Sequence, residues 1–356
     1  MKTFHCDKCG QQVFYENVRC ERCAGMLGYL PDERTLGAFE PNGDGMWRSL
    51  FAANAGLLYK QCVNYAMEDA CNWMLPAGSA HALCASCQLT RIIPNLSSEK
   101  NRVYWKRLEA AKRRLLFSLW EMALQPSPQL ADDDGGLAFE FLEDMPDKKV
   151  MTGHDNGVIV INIAEADPAS REQARENMRE PYRTLLGHFR HESGHYYLDR
   201  LIMGTQWLER FRELFGDEQR DYGSSLEAYY QTGPAAEWEQ RFVSGYASSH
   251  PWEDWAETWA HYMHMIDTLD TAYACGMTLD PRKPGEPSLA QEQRPLRTGS
   301  FSEMTDSWFA LTYVLNSLNR SVGMPDAYPF TLSAAVMEKL RFIHEVVLAQ
   351  RAARAG

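Results

Sequence analysis

Three groups of residues in this 356-residue chain combine metal-ligating chemistry with ligand spacing. The first is His191-Glu192-Ser193-Gly194-His195. Histidines four residues apart lie one above the other on a helix face, where both imidazoles reach a single zinc ion. Glu192 projects beside them and can take a proton from a water that such an ion acidifies. The flanking Tyr182, Leu185, Leu186, Leu198, Leu201 and Ile202 predict a buried helix. Gly194 permits close approach of another backbone. The competing reading is a pair of core histidines on an amphipathic helix.

A catalytic zinc needs a third protein ligand and an open fourth position. The run from Pro251 to Tyr262, PWEDWAETWAHY, predicts a second helix with Pro251 near its first position. Glu253 and Glu257 then share a face. One can ligate zinc while the other, a turn on, orients a ligand histidine. Glu253 would also suit a helix N-terminus. Glu257 sits among Trp255, Trp259 and Ala260, poor company for a surface acid. His261 and His264 read as packed core histidines.

The other two groups are cysteines. Eight of the nine lie before residue 88, and clustered cysteines in a chain without a secretory leader read as metal ligands before disulfides. Cys6, Cys9, Cys20 and Cys23 form two CxxC knuckles, the pattern of a closed structural zinc site. Cys62, Cys71, Cys84 and Cys87 predict a second four-cysteine site, with His81 a competing ligand. The expected cofactor is thus Zn2+, three per chain, one catalytic and two structural. Cys275 reads as a small buried hydrophobe.

The elements that position these groups follow from pattern and punctuation. Residues 1–98 form a zinc-binding region: a ribbon over 1–30, with too little apolar mass to fold without metal, and the second site over 62–87. Residues 99–125 form a connecting helix. Within its Arg102 to Leu124 stretch, Val103, Leu108, Ala111, Leu115, Leu119 and Met122 fall near one face, and Arg102, Lys106, Arg107, Lys112, Arg113 and Arg114 form a solvated basic face. Gln125 to Pro128 and Asp132 to Gly136 mark a loop or boundary. Two strands, Leu137–Leu142 and Val158–Ile163, follow, the second after the turn signal Asp155-Asn156-Gly157. From Pro168 the chain reads as mostly helical. The fold class is therefore α+β, a mostly helical domain over 126–356 with a small sheet, preceded by the zinc-ribbon region.

Charge narrows the partners. Net charge is −12, but residues 1–115 hold 15 Lys+Arg against 11 Asp+Glu, and residues 116–356 hold 21 against 37. Four thiolates on each structural zinc bring the first part near neutrality. An acidic body disfavours nucleic acid as a partner. No apolar run suits a signal or a membrane span, which points to the cytoplasm.

HExxH followed by ExxxE on a second helix resembles the gluzincin metallopeptidases. The closest resemblance is to the branch with Glu-x-x-Ala-Glu and a tyrosine seven residues earlier, here Tyr246 in Ser244-Gly245-Tyr246-Ala247. That resemblance implies Glu253 as zinc ligand, Glu257 as support for a ligand histidine, and Tyr246 as donor to the oxyanion. Nearly the whole chain resembles bacterial zinc-binding metallopeptidases with an N-terminal zinc ribbon. The carrying motifs are Cys62 through Cys87, Thr152 to Gly157, Gly187 to Glu192, and the tryptophan-rich acidic helix. This implies a zincin-like fold and hydrolysis of a peptide or protein amide, with Glu192 as general base. The Val158–Ile163 strand would serve as an edge for an extended substrate, or be a covered strand. Two rivals stand beside it: an adaptor with a protein partner at the ribbon and a degenerate zincin scaffold, and a zinc hydrolase of a non-peptide amide.

Overall fold

The computed structural model describes residues 2–130, 135–178, 180, 182–290, 294–298 and 300–355. Asp132, Asp133 and Asp134 of the expected loop lie outside them. The chain is mixed α and β. It divides into two compact units, one of residues 2–117 and 126–168, the other of 118–125 and 169–355.

The first unit starts with a small hairpin, β1 (Phe4–His5) and β2 (Gln12–Val13). An antiparallel five-stranded sheet follows in sequential order: β3 (Met26–Leu30), β4 (Thr35–Pro41), β5 (Met46–Ser49), β6 (Leu58–Gln61) and β7 (Met74–Pro76), with the one-turn α1 (Val63–Ala66) after β6. The ribbon does not end at residue 30 as expected, because β3 pairs with β4 throughout its length. Nor does it fold on its own core. Tyr15 is buried edge-on against Tyr29 and Phe117, and its hydroxyl accepts from Trp73 Nε1 at 3.1 Å.

A second sheet has the order β10-β11-β9-β8, built from β8 (Thr90–Ile92), β9 (Ala138–Leu142), β10 (Gly153–Asp155) and β11 (Val158–Asn162). Asn156 and Gly157 both take positive φ, the conformation that closes a two-residue hairpin between β10 and β11. A Cβ on Gly157 would stand 2.5 Å from the Gly136 carbonyl oxygen. β11 is therefore interior, antiparallel to β10 and parallel to β9. Of the two readings of this strand, the covered one holds and the substrate edge does not; the sheet's edges are β10 and β8. The parallel β8–β9 pairing also explains why the units do not follow boundaries at 98 and 126: strands from either side of the long helix share one sheet.

That helix, α2 (Glu99–Glu121), is followed by Ala123 in a left-handed conformation. Leu108, Leu115 and Leu119 are fully buried, whereas Val103 is exposed. Its basic face is not simply solvated. Lys112 and Glu109 are both fully buried and paired at 2.9 Å, and the Thr90 hydroxyl donates to Glu109 at 2.7 Å. Arg113 donates to the Ala70 carbonyl at 2.6 Å, and Arg102, Lys106 and Arg114 pair with Glu68, Asp69 and Glu16. The apolar stripe is broad enough to draw in two cations, which the chain then satisfies internally.

The second unit is almost wholly helical: α3 (Pro168–Met178), α4 (Leu185–Leu201), α5 (Leu208–Phe215), α6 (Tyr222–Thr232), α7 (Pro251–Ala274), α8 (Pro295–Thr298), α9 (Phe301–Ser321) and α10 (Ala334–Ala355), with a short β12–β13 hairpin (Thr278–Leu279, Leu289–Ala290). Its core lies around α7, where Trp255, Ala256, Trp259, Tyr262, Met263 and Met265 are fully buried. Among the described residues no helix is long and apolar enough to cross a membrane. Cys275 is exposed rather than buried, because it caps the C-terminal end of α7.

Removing one partner of a buried ion pair leaves the other charge uncompensated. Lys112→Met should therefore lower unfolding free energy by about 3 kcal/mol, read from urea denaturation at unchanged m-value.

Candidate metal centres

The eight N-terminal cysteines converge as two groups of four. Sulfur separations are 3.7 Å for Cys6–Cys23, 3.6 Å for Cys9–Cys20 and 3.7 Å for Cys71–Cys84. These are far too long for a disulfide. They fit a tetrahedral zinc site, whose bond length of about 2.3 Å puts sulfurs about 3.8 Å apart. Backbone N–H groups of Trp73 and Cys84 point at Cys71 and Cys62 sulfurs at 3.4 Å, as thiolates require. His81 is exposed and stands outside the second cluster. Each group of four cysteines is thus arranged as a closed four-thiolate zinc site would be.

The third group lies wholly in the helical unit. Thr184 caps α4, its hydroxyl accepting from the Gly187 N–H at 3.0 Å. His191 and His195 follow one turn apart, with their Nε2 atoms 3.2 Å from each other. Helix α7 crosses α4 at Gly194. A Cβ there would stand 2.9 Å from the Ala256 Cα and 3.2 Å from Trp259 Cδ1. Two indoles lock the crossing: Trp255 Nε1 donates to the Gly194 carbonyl at 2.9 Å, and Trp259 Nε1 to the Ser193 hydroxyl at 3.2 Å.

The crossing sets both acids of α7 against the histidines. His250 caps α7, its Nδ1 accepting from the Trp252 N–H at 3.1 Å, with Pro251 in the first turn. Glu253, only 1% exposed, puts Oε2 at 3.0 Å from His191 Nε2 and 3.5 Å from His195 Nε2. Glu257 takes the opposite side of the same ring: its Oε1 is 2.6 Å from His191 Nδ1, and its Oε2 accepts from the Ser244 hydroxyl at 2.7 Å. The next acid, Asp254, faces away and pairs with the buried Lys339 of α10 at 2.5 Å.

The donor set fits zinc. Tetrahedral bonds of about 2.0–2.1 Å to nitrogen or oxygen separate donors by about 3.3–3.4 Å, and this triangle has edges of 3.0, 3.2 and 3.5 Å. Among the described residues Glu253 Oε2 is buried with no hydrogen-bond partner, an expensive arrangement unless a cation completes it. The electrostatics say the same. Burial alone would lower the His191 pKa, but Glu253 and Glu257 outweigh it and hold it well above the ordinary range. Burial would raise Glu253, yet His195 and His191 hold it well below. The buried Glu253 carboxylate, with the half-buried Glu257 behind His191, thus demands positive charge at the spot the imidazoles face.

Around this triangle stand further predicted residues. Glu192 is buried on α4. Tyr246 lies half-buried, its ring 6.0 Å from that of His191. Burial, then the nearby Glu253 carboxylate, push its pKa well up, so it stays a protonated donor. His261 is buried, bonded through Nδ1 to the Tyr328 hydroxyl at 2.9 Å, and His264 packs against Tyr182, Trp308 and Tyr328. Two participants escaped sequence reasoning. Tyr222 donates to Glu253 Oε1 at 2.7 Å, and Ser244 holds Glu257. Tyr222 lies 31 residues before its partner and carries no motif; Ser244 adjoins the run that contains Tyr246 and could have been weighed with it.

The crossing leaves no room for a methyl group. Gly194→Ala should cost about 1–3 kcal/mol, seen in thermal unfolding, by pushing α4 and α7 apart.

Comparison with known proteins accords with this geometry. Residues 101–346 match the family model described as "Putative zinc-binding metallo-peptidase", and residues 3–98 match that of a zinc-ribbon domain. Three relatives, one from Mycobacterium bovis and two from Mycobacterium tuberculosis strains, are 43% identical over 349 residues, covering 98% of this chain and 95% of each relative; all are titled uncharacterized. No solved structure matches the chain. With more than half its length in the family match, the chain belongs to the zinc-binding metallo-peptidase family so described, with a zinc-ribbon domain ahead of it.

Proposed function

We propose that this protein hydrolyses a peptide or protein amide bond at a zinc ion held by His191, His195 and Glu253. The observation that carries the reading is the buried Glu253 Oε2, with no hydrogen-bond partner among the described residues, facing two imidazole nitrogens at 3.0 and 3.5 Å. Bound there, zinc supplies a Lewis acid for the carbonyl and lowers the pKa of a water to about 7.

The chain's own residues supply the rest. Glu257, anchored by Ser244, fixes His191 with Nε2 toward the ion. Glu192, one residue past His191 on α4, takes the proton of the attacking water and returns it to the leaving amine. Tyr246 stays protonated and donates to the developing oxyanion. The two four-cysteine zincs hold the N-terminal region together and take no part in the chemistry.

Metal analysis of the purified protein should give three zinc ions per chain, with the one at the histidines leaving first under mild chelation because its fourth position is open. Glu253→Ala should lose that ion and retain two. Glu257→Ala should retain three at saturating metal, with affinity lowered about 10- to 100-fold. The reverse pattern would make Glu257 the ligand, and Tyr246 would lose the seven-residue spacing on which its role rests.

For the reaction itself, lysate treated with wild type should show new protein N-termini that lysate treated with Glu192→Gln lacks. Identical termini in both would favour a non-peptide amide substrate or a binding role instead.

A further inference from the structure

Helix α6 has no buried residue along its length, yet its first residue reaches the deepest acid of the metal centre. The Tyr222 hydroxyl donates to Glu253 Oε1 at 2.7 Å. Its ring is held on two sides. Trp252 stacks against it at 5.4 Å and 29°, and His250 meets it edge-on at 5.2 Å. The His250 ring is itself fixed, because Nε2 donates to the Arg220 carbonyl at 3.0 Å while Nδ1 accepts from the Trp252 N–H. The cap of α7 and the start of α6 are therefore one hydrogen-bonded assembly. Asp221 caps α6 by accepting from the Ser224 N–H at 2.7 Å, which sets where Tyr222 begins.

A carboxylate can offer a metal one oxygen or two. Here the oxygens are differentiated: Oε1 is occupied by a phenol, and Oε2 faces the imidazole nitrogens. We propose that Tyr222 is a positioning residue that keeps Glu253 a one-oxygen donor and ties metal affinity to the placement of α6. The proposal rests on the reading of His191, His195 and Glu253 as the ligand set. Without the phenol, Oε1 loses its donor in a buried setting, and the carboxylate is free to turn both oxygens toward the ion. A fourth position meant for water or substrate is then partly filled.

The test uses the full-length protein and two variants, Tyr222→Phe and Tyr230→Phe. Tyr230 is an exposed tyrosine on the same helix and reports any general effect of altering α6. Zinc affinity is measured by chelator competition. Co2+ is then added to protein stripped of exchangeable zinc, and its visible spectrum reports coordination number. Tyr222→Phe should bind zinc about 10- to 100-fold more weakly at the histidine site, with a weaker cobalt spectrum shifted toward that of a five-coordinate ion. Tyr230→Phe should match wild type in both. Unchanged affinity in Tyr222→Phe would overturn the proposal. So would weakened affinity with an unchanged cobalt spectrum, or an equal loss in Tyr230→Phe, since either means general loosening. Wild type with no exchangeable zinc would overturn the ligand set itself, and this inference with it.

Discussion

Everything at the histidine centre depends on how closely α4 and α7 approach at Gly194 and Ala256. A helix pair separated by ordinary side chains sits 8–10 Å apart between axes. Here a residue without a Cβ meets one with only a methyl group, and Trp255 and Trp259 bond across the gap. The contact lies between the last histidine of α4 and the turn before it. It therefore fixes His191 and His195 against the first two turns of α7, where Glu253 and Glu257 project. Asp254, between them, faces the other way and pairs with the buried Lys339. One face of α7 is spent on the centre and the other anchors it to α10.

The same packing makes the centre electrostatically incomplete. Two carboxylates are brought beside two imidazoles where solvent is scarce, and without a cation they would draw a proton onto His191. A divalent ion balances both charges and uses the donor that lacks a partner. The division of labour between the acids also has a plain cause. They are four residues apart on one face, so they meet the His191 ring on opposite nitrogens: Glu253 at Nε2, Glu257 at Nδ1. The four-cysteine sites solve a different problem. In the N-terminal region a metal held by them would add cohesion to a modest aromatic core around Tyr15, Tyr29, Trp73 and Phe117.

Local chemistry was legible in the sequence because ligand spacing is a local property. The cysteine knuckles, the histidine pair and the shared face of Glu253 and Glu257 all follow from helix and turn geometry. Both predicted strands form, within a residue of their expected bounds. What the sequence left open or misread is long-range. An apolar run such as Val158–Ile163 reads the same at an edge or inside a sheet, and only its pairing with β9 and β10 decides. Lys112 looks solvated until Glu109 and Thr90 are seen beside it. Tyr222 has no signature at all, since its role depends on where a loop returns the chain. The compact units likewise cut across the sequence order, because β8 and β9 pair across a 23-residue helix.

The central claim is that one ion sits among His191, His195 and Glu253. A crystal structure with diffraction data on both sides of the zinc absorption edge tests it most directly. The account predicts three anomalous peaks per chain, one of them bonded to His191 Nε2, His195 Nε2 and Glu253 Oε2 while Glu257 stays on His191 Nδ1. Peaks at the cysteine clusters alone, or a third peak ligated by Glu257 instead of Glu253, would contradict it.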